Sequence, residues 1–319
     1  MIGCGAKVAH PDYPADWFIA WYSPKGTARL DDRVRDRVPA LSRERVKDAF
    51  TGGRITLSGK PVEAGARGPG RIEVSVTKDD VGAFLMNGRG GEGFFILYRD
   101  EDLILVDKEP GLLSVPTDEG GDPSVLDRLP AFVKGSIFPV HRIDRFTSGI
   151  MAFARTAPAR RGIIDQFSAH TITRRYLAIT RGVPAPLKGT YQSYLASDAR
   201  RVQRSVEKGH GDLAITHYQV VEELRGPAAV ISVELETGKR NQIRVHFAEA
   251  GFPLVGEHRY GNYKDKAFDR QALHAAELEL LHPRHGNAVS AAAPLPDDMR
   301  GFIGHFRKTG KAAQPPVSG

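Results

Sequence analysis

The chain has 319 residues, 41% of them apolar and 26% charged, with a formal net charge of +7. That length can bury a large core over two domains, and the positive balance suits a polyanionic partner as readily as it serves solubility. One cysteine, Cys4, excludes an intrachain disulfide framework and a cysteine-based zinc site, while the absence of an apolar signal core and of any run of membrane-spanning length makes the reducing cytoplasm the expected compartment.

Residues 1–24 carry Pro11, Pro14 and Pro24 with Trp17 and Trp21, and read as an N-terminal extension that packs onto something rather than as a helix. Leu30, Val34, Val38 and Leu41 fall three or four apart, which predicts a short amphipathic helix limited by Pro39. Ser42 can cap a second helix, Arg43 to Phe50, with Val46, Ala49 and Phe50 inward, and Gly52-Gly53 ends it. Ile55 and Leu57 alternate, Ser58-Gly59-Lys60 turns, and Ile72, Val74 and Val76 alternate again, so residues 25–78 read as a small α/β domain. Seven basic and five acidic residues lie between Arg29 and Asp48, which fits a solvated face as well as a binding one. Residues 79–98, with Gly88, Gly90, Gly91 and Gly93, read as a connector.

A large domain is expected over 99–307, followed by a flexible tail over 308–319. Leu103 to Val106 is a predicted strand, Lys108 to Gly111 a turn, Leu112 to Val115 a second short strand and Ser124 to Leu129 a short helix. Ile150 to Ala154 reads as a buried strand, and Ala157 to Ser168 as a helix with Ile163, Ile164 and Phe167 on one side. Strands are expected around Tyr176 to Thr180, Gly189 to Leu195, Arg200 to Val206, Tyr218 and Val220, Ala229 to Glu236, and Leu273 to Leu281. Thr237 can cap a helix from Gln242 to Ala250, with Ile243, Val245, Phe247 and Ala250 buried. Strands outnumber helices without alternating with them, which points to an α+β fold with a mixed, largely antiparallel central sheet flanked by helices.

The chemistry concentrates in VHRIDRFTSGIMAFART, Val140 to Thr156. Asp144 stands between Arg142 and Arg145, and opposite charges favour the ionised form, which suits a nucleophile or an anchor better than an acid. A turn residue accepting backbone N–H groups near Thr147 and Ser148 is the competing reading. Between Arg155 and Arg181 there are six arginines against one aspartate, a clear basic patch. No GxGxxG, P-loop or HExxH is present, and His258, His274, His282 and His285 lack a matching carboxylate set, so no metal site is expected.

Segments RLDDRV, LSRERVKDAFTGGRITLSGKPV and GRIEV resemble the S4-type RNA-binding domain, in which paired helices present basic residues to folded RNA; Arg43, Arg45 and Lys47 match those contacts. Further on, HRIDRFTSG, RRYLAITRG, TGKRNQIRVHFAEAGFPLVGEHRYG and LHAAELELLHPRHG closely resemble the RluA-type pseudouridine synthases, in order and in register from about Asp102 to Arg300. The resemblance implies that the chain isomerises uridine in structured RNA without a cofactor, preferably large-subunit ribosomal RNA; separately, a monomer is expected. Transfer RNA as the substrate, or a non-catalytic RNA-binding or ribosome-assembly factor on the same fold, are the alternatives.

On that resemblance Asp144 is the catalytic aspartate, Arg244 the arginine that pairs with it through a bidentate bridge, and Tyr176 the tyrosine that stacks on the target base and assists deprotonation at C5. Arg142 matches a residue that enters the RNA where the uridine is extruded, with an ion pair to the sheet as its structural alternative. Arg145, Arg174, Arg175, Lys239, Arg240 and Asn241 are expected RNA contacts, and Ile243 and Leu254 an apolar wall for the uracil. The chain departs from the family's pattern at Ile143, where leucine is commoner, at Lys239, where arginine is usual, and at Asn241, where histidine is usual. The last two changes remove a planar fork and an ionisable ring close to Arg244.

Overall fold

The computed structural model describes residues 16–23, 27–39, 41–77, 80, 93–118, 120–226, 228–261 and 268–309. Cys4, the prolines Pro11, Pro14 and Pro24, the connector glycines Gly88, Gly90 and Gly91, and the tail from 310 lie outside them. Along the chain the elements are β1 (Trp17–Ser23), α1 (Leu30–Arg37), α2 (Arg43–Thr51), β2 (Ile55–Leu57), β3 (Lys60–Pro61), β4 (Gly70–Val76), β5 (Phe94–Arg99) and β6 (Leu103–Lys108). Next come α3 (Val125–Arg128), β7 (Phe138–Pro139), β8 (Ser148–Ala154), α4 (Ala157–Ser168), β9 (Thr173–Arg181), β10 (Lys188–Ser197) and β11 (Gln203–Val206). The last are β12 (Asp212–Leu224), β13 (Ala228–Leu235), α5 (Gln242–Glu249), β14 (Leu273–Leu281), β15 (Ala288–Ala292) and α6 (Asp297–Thr309). The class is α+β, with antiparallel sheet flanked by helices and an N-terminal α/β part. Among the described residues no helix is long and apolar enough to cross a membrane.

The chain divides into two compact units, one of residues 1–143, 149–172 and 276–295, the other of 144–148, 173–275 and 296–319. In the first, α1 and α2 form where the sequence predicts them. Leu30, Val34 and Val38 are wholly buried, and the Ser42 side chain accepts the Arg45 N–H at the start of α2. Strand β1 arises from the proline-flanked stretch read as an extension. It pairs antiparallel with β4 through Trp17↔Val76 to Ser23↔Gly70 and with β15 through Ile19↔Ala291. Likewise the expected connector is structured from Phe94, where β5 pairs with β6. The segment after β6 is not the expected strand at Leu112 to Val115. The wholly buried Lys108 donates from Nζ to the Glu109 and Leu112 carbonyls, both at 2.9 Å, which holds the chain in a turn. Strand β8 pairs with β6 from Leu103↔Ala154 to Lys108↔Gly149, and every β8 residue is buried. On α4 Ile163 is buried, but Ile164, expected beside it, is exposed, because successive residues on a helix point about 100° apart.

The second unit is a five-stranded antiparallel sheet in the order β11-β10-β12-β13-β9. Strand β11 begins only at Gln203, because the Asp198 carboxylate accepts the Arg200 and Val202 N–H groups at 2.9 and 2.8 Å and turns the chain before it. Helix α5 packs on this sheet through Val245 and Phe247, and the Phe247 ring meets Tyr191 edge-on at 5.2 Å between centroids. Thr237 does not cap α5. Its hydroxyl accepts the Ile215 N–H at 2.8 Å and donates to Gln242 Oε1 at 2.9 Å. Asn241 stands at the N-cap instead, in the left-handed region at φ 54°. Helix α6 lies in the stretch read as the end of the domain, and buries Met299, Phe302, Ile303 and Phe306.

Candidate active site

Residues 144–148 form a tight turn whose ends and tip are each held. The Asp144 carbonyl accepts the Thr147 N–H at 3.1 Å, so the turn's hydrogen bond uses the backbone of Asp144 and not its carboxylate. Arg270, nearly buried, donates from Nη1 to the Phe146 carbonyl at 3.0 Å and to the Gln271 and Leu273 carbonyls at 3.1 and 3.2 Å. Its other edge makes a two-pronged pair with Asp298 of α6 at 2.6 and 2.9 Å. Gln271 reaches the Thr147 hydroxyl at 3.3 Å, and Ser148 Oγ lies 3.0 Å from His274 Nδ1.

The Asp144 side chain faces α5. Arg244 Nη1 donates to Asp144 Oδ2 at 3.2 Å, in a pair whose side chains are 12% and 27% exposed. The expected bidentate bridge exists, but to another residue. Arg244 Nε and Nη2 donate to the two oxygens of Glu257 at 2.7 and 2.8 Å, and the Glu257 side chain is fully buried. Glu257 also accepts the Arg259 and Tyr260 N–H groups at 2.8 and 3.1 Å. Burial alone would raise its carboxyl, but the Arg244 guanidinium and those two N–H groups outweigh burial and hold it below the usual carboxylate range. Burial likewise disfavours the Arg244 cation, but Glu257 first and Asp144 second hold it charged, well above its ordinary range. Gly256, at φ 71°, brings the chain into this position, since a Cβ there would collide with the Arg270 carbonyl.

Asn241 completes the cradle. Assigning its amide from the hydrogen-bond network turns the nitrogen toward Asp144, where it donates to Oδ2 at 2.8 Å and Oδ1 at 2.9 Å, while its oxygen accepts the Tyr260 hydroxyl at 2.7 Å. The Tyr260 ring lies 5.2 Å beneath the Arg244 guanidinium. The partners of the carboxylate are thus an amide and a guanidinium, both donors, and what it offers a ligand is lone pairs. Such a group can attack or anchor, and the arrangement suits nucleophilic chemistry at an electrophilic carbon.

Tyr176 of β9 is 9% exposed. Burial is the main cause that pushes its phenol up to about 12, opposed by Arg174 and aided by the charge of Asp144. The hydroxyl is therefore protonated near neutral pH.

The remaining predicted residues separate into two groups. Arg174 is buried, against the expectation of an RNA contact, and donates to the Leu235 and Glu236 carbonyls at 3.3 and 3.1 Å. Asn241 turns to Asp144, Lys239 pairs with Asp212 at 3.2 Å, and Arg175 pairs with Glu234 at 3.6 Å. Ile243 and Leu254 are 4% and 1% exposed. Arg142, Arg145, Arg240, Arg43 and Lys47 are exposed and Arg45 is half-buried. In the first unit His141 Nε2 accepts the Ala152 N–H at 2.8 Å and braces β8. Sequence reasoning did not single out Glu257, Tyr260 or Arg270. The one available signal for Glu257 was an acidic residue inside the otherwise basic GEHRYG segment.

A family model described as RNA pseudouridylate synthase matches residues 102–249. An uncharacterized RNA pseudouridine synthase of Bacillus subtilis, YlyB, is 32% identical, over 88% of this chain and 95% of its own. The ribosomal large subunit pseudouridine synthase D of Zymomonas mobilis is 33% identical, over 85% of this chain and 92% of its own. The protein of the same name from Neisseria meningitidis serogroup A is 33% identical, over 88% and 79%. Among solved structures, human RNA Pseudouridylate Synthase Domain Containing 4 superposes with a TM-score of 0.56 at 22% identity, covering 66% of this chain and 92% of its own, a likeness of fold.

Proposed function

Because the chain belongs to the RluA-type RNA pseudouridine synthases, we propose that its substrate is large-subunit ribosomal RNA and that Asp144 is the residue that acts on the target uridine. The observation that carries this reading is the Asp144 carboxylate, held by Arg244 and Asn241 in a turn whose backbone is clamped by Arg270. The substrate preference rests on relatives named as ribosomal large subunit enzymes.

In the reaction the C1′–N1 bond of the uridine breaks, the uracil turns while held, and C1′ bonds to C5. The C5 proton is lost to solvent and N1 takes a proton from solvent, so the product is an isomer and neither redox change nor hydrolysis occurs. Asp144 attacks or assists departure at C1′, and Arg244 with Asn241 fixes its oxygens so that little reorganisation accompanies the step. Tyr176 stacks on the base as a protonated phenol, and Ile243 and Leu254 wall the uracil slot. Arg142 props the gap left by the extruded uridine, where lost stacking costs a few kcal/mol. Arg145, Arg175, Lys239 and Arg240 supply phosphate contacts in this reading, and so do Arg43, Arg45 and Lys47 of an S4-like domain over residues 25–78. The enzyme works as a monomer in the cytoplasm.

Mapping pseudouridine in total RNA from cells with and without the gene tests the substrate. Loss of one or more large-subunit ribosomal sites is the expected result. Loss confined to transfer RNA, or no loss, would overturn it.

A further inference from the structure

Phe146 is 46% exposed and stands two residues after Asp144. Single exposed apolar side chains are common on soluble proteins and need no explanation by themselves. This one differs in how it is held. The Thr147 N–H to Asp144 carbonyl bond makes Arg145 and Phe146 the two middle residues of the turn, and the Phe146 carbonyl is gripped by the buried Arg270. The backbone under the ring is therefore fixed from both sides while the ring faces solvent. The Arg145 guanidinium lies 5.5 Å from the ring centroid, which pairs a cation with an aromatic face at the tip of the turn.

We infer that Phe146 is a stacking platform for a nucleobase next to the target uridine, with Arg145 meeting the adjoining phosphate; the inference rests on the function proposed above. Extruding a uridine removes a stacking partner from its neighbours, and an aromatic ring two residues from the attacking carboxylate is placed to replace it. A flat ring accepts any base, so Phe146 contributes affinity and conformation at the site and not a sequence code. Its fixed backbone means that little ordering accompanies binding.

The test uses the full chain in an Asp144→Asn background, so that no turnover occurs during binding. The probe is a transcript of the RNA segment around the mapped uridine. Phe146→Ala and Phe146→Leu are expected to weaken binding about tenfold, and Phe146→Trp to bind as the parent does. On RNA carrying an abasic site at the stacking neighbour, the Phe146→Ala loss is expected to shrink below about twofold. Parent-like binding by Phe146→Ala, full retention by Phe146→Leu, or an unchanged loss on abasic RNA would overturn the inference. Failure of the function itself appears elsewhere, as absence of pseudouridine made by the unmutated chain.

Discussion

Arg244 gives its two-pronged edge to Glu257 and only one hydrogen bond to Asp144. The fully buried Glu257 is the group that orients the guanidinium, leaving Nη1 to meet Asp144. Replacing Glu257 with Gln is expected to lower the single-turnover rate about 100-fold with RNA affinity retained, because a small misplacement of a positioning group carries that order of loss. Glu257→Ala removes the main counter-charge of the buried Arg244 cation and leaves only the single Asp144 bond, so it should reduce unfolding free energy by about 3–5 kcal/mol. Rates and denaturant curves on both variants check this, and a Glu257→Gln enzyme as fast as the parent would contradict it.

The Asn241 amide touches both oxygens of Asp144. Asn241→Asp is nearly isosteric but sets a second carboxylate against the first. Repulsion between like charges at hydrogen-bond distance is expected to cut the rate about 100-fold. Tyr260→Phe keeps the ring under Arg244 and removes one hydroxyl, so about a tenfold loss or less is expected. Single-turnover kinetics on the two variants ranks them, and the reverse order would contradict the geometry.

His246 offers a pH test of stability in the second unit. Burial pushes its imidazole down to about 4, against a smaller opposing pull from Glu249, while its nitrogens meet Ser193 and Thr216 hydroxyls at 3.0 and 2.9 Å. In the unfolded chain the ring titrates near its ordinary value of about 6.5. Between those limits the unfolded state holds the extra proton, so stability present above pH 6.5 is lost as pH falls toward 4. The loss is on the order of 3 kcal/mol. In His246→Gln that part of the slope should vanish, as read from denaturation at several pH values; an identical slope would contradict it.

The local pattern of the sequence reached helices and hairpins whose signals are short in range. Leu30, Val34 and Val38 at helical spacing, and Ser42 before α2, specify their own conformations. Strand β1 has no local signature, because its partners are far along the chain and prolines flank it. Helix α6 follows Pro294 and Pro296 and contains Gly301 and Gly304, which mask its apolar stripe. At the site, Asp144, Tyr176 and Arg244 stand out through motif resemblance, whereas Glu257 is 13 residues from Arg244 and has no periodicity to expose it. Arg174 shows the opposite error, since charge in a basic stretch says nothing of which arginine turns inward to bind carbonyls.

Tyr176 is expected to act by its ring. With the phenol pushed up to about 12, the rate should show no Tyr176 ionisation between about pH 6 and 9. Tyr176→Phe should bind RNA as the parent does, and Tyr176→Ala about tenfold more weakly. A near-neutral limb in the pH–rate profile that disappears in Tyr176→Phe would contradict this.

Asp144→Asn keeps the shape of the side chain and removes its charge, and so isolates what the carboxylate does to the uridine. Pseudouridine formed by the parent and variant chains should be measured on RNA from cells lacking the gene, with RNA affinity measured in parallel. The expected result is no product from Asp144→Asn at near-parental affinity. Product formed by Asp144→Asn at the parent's rate would contradict the assignment.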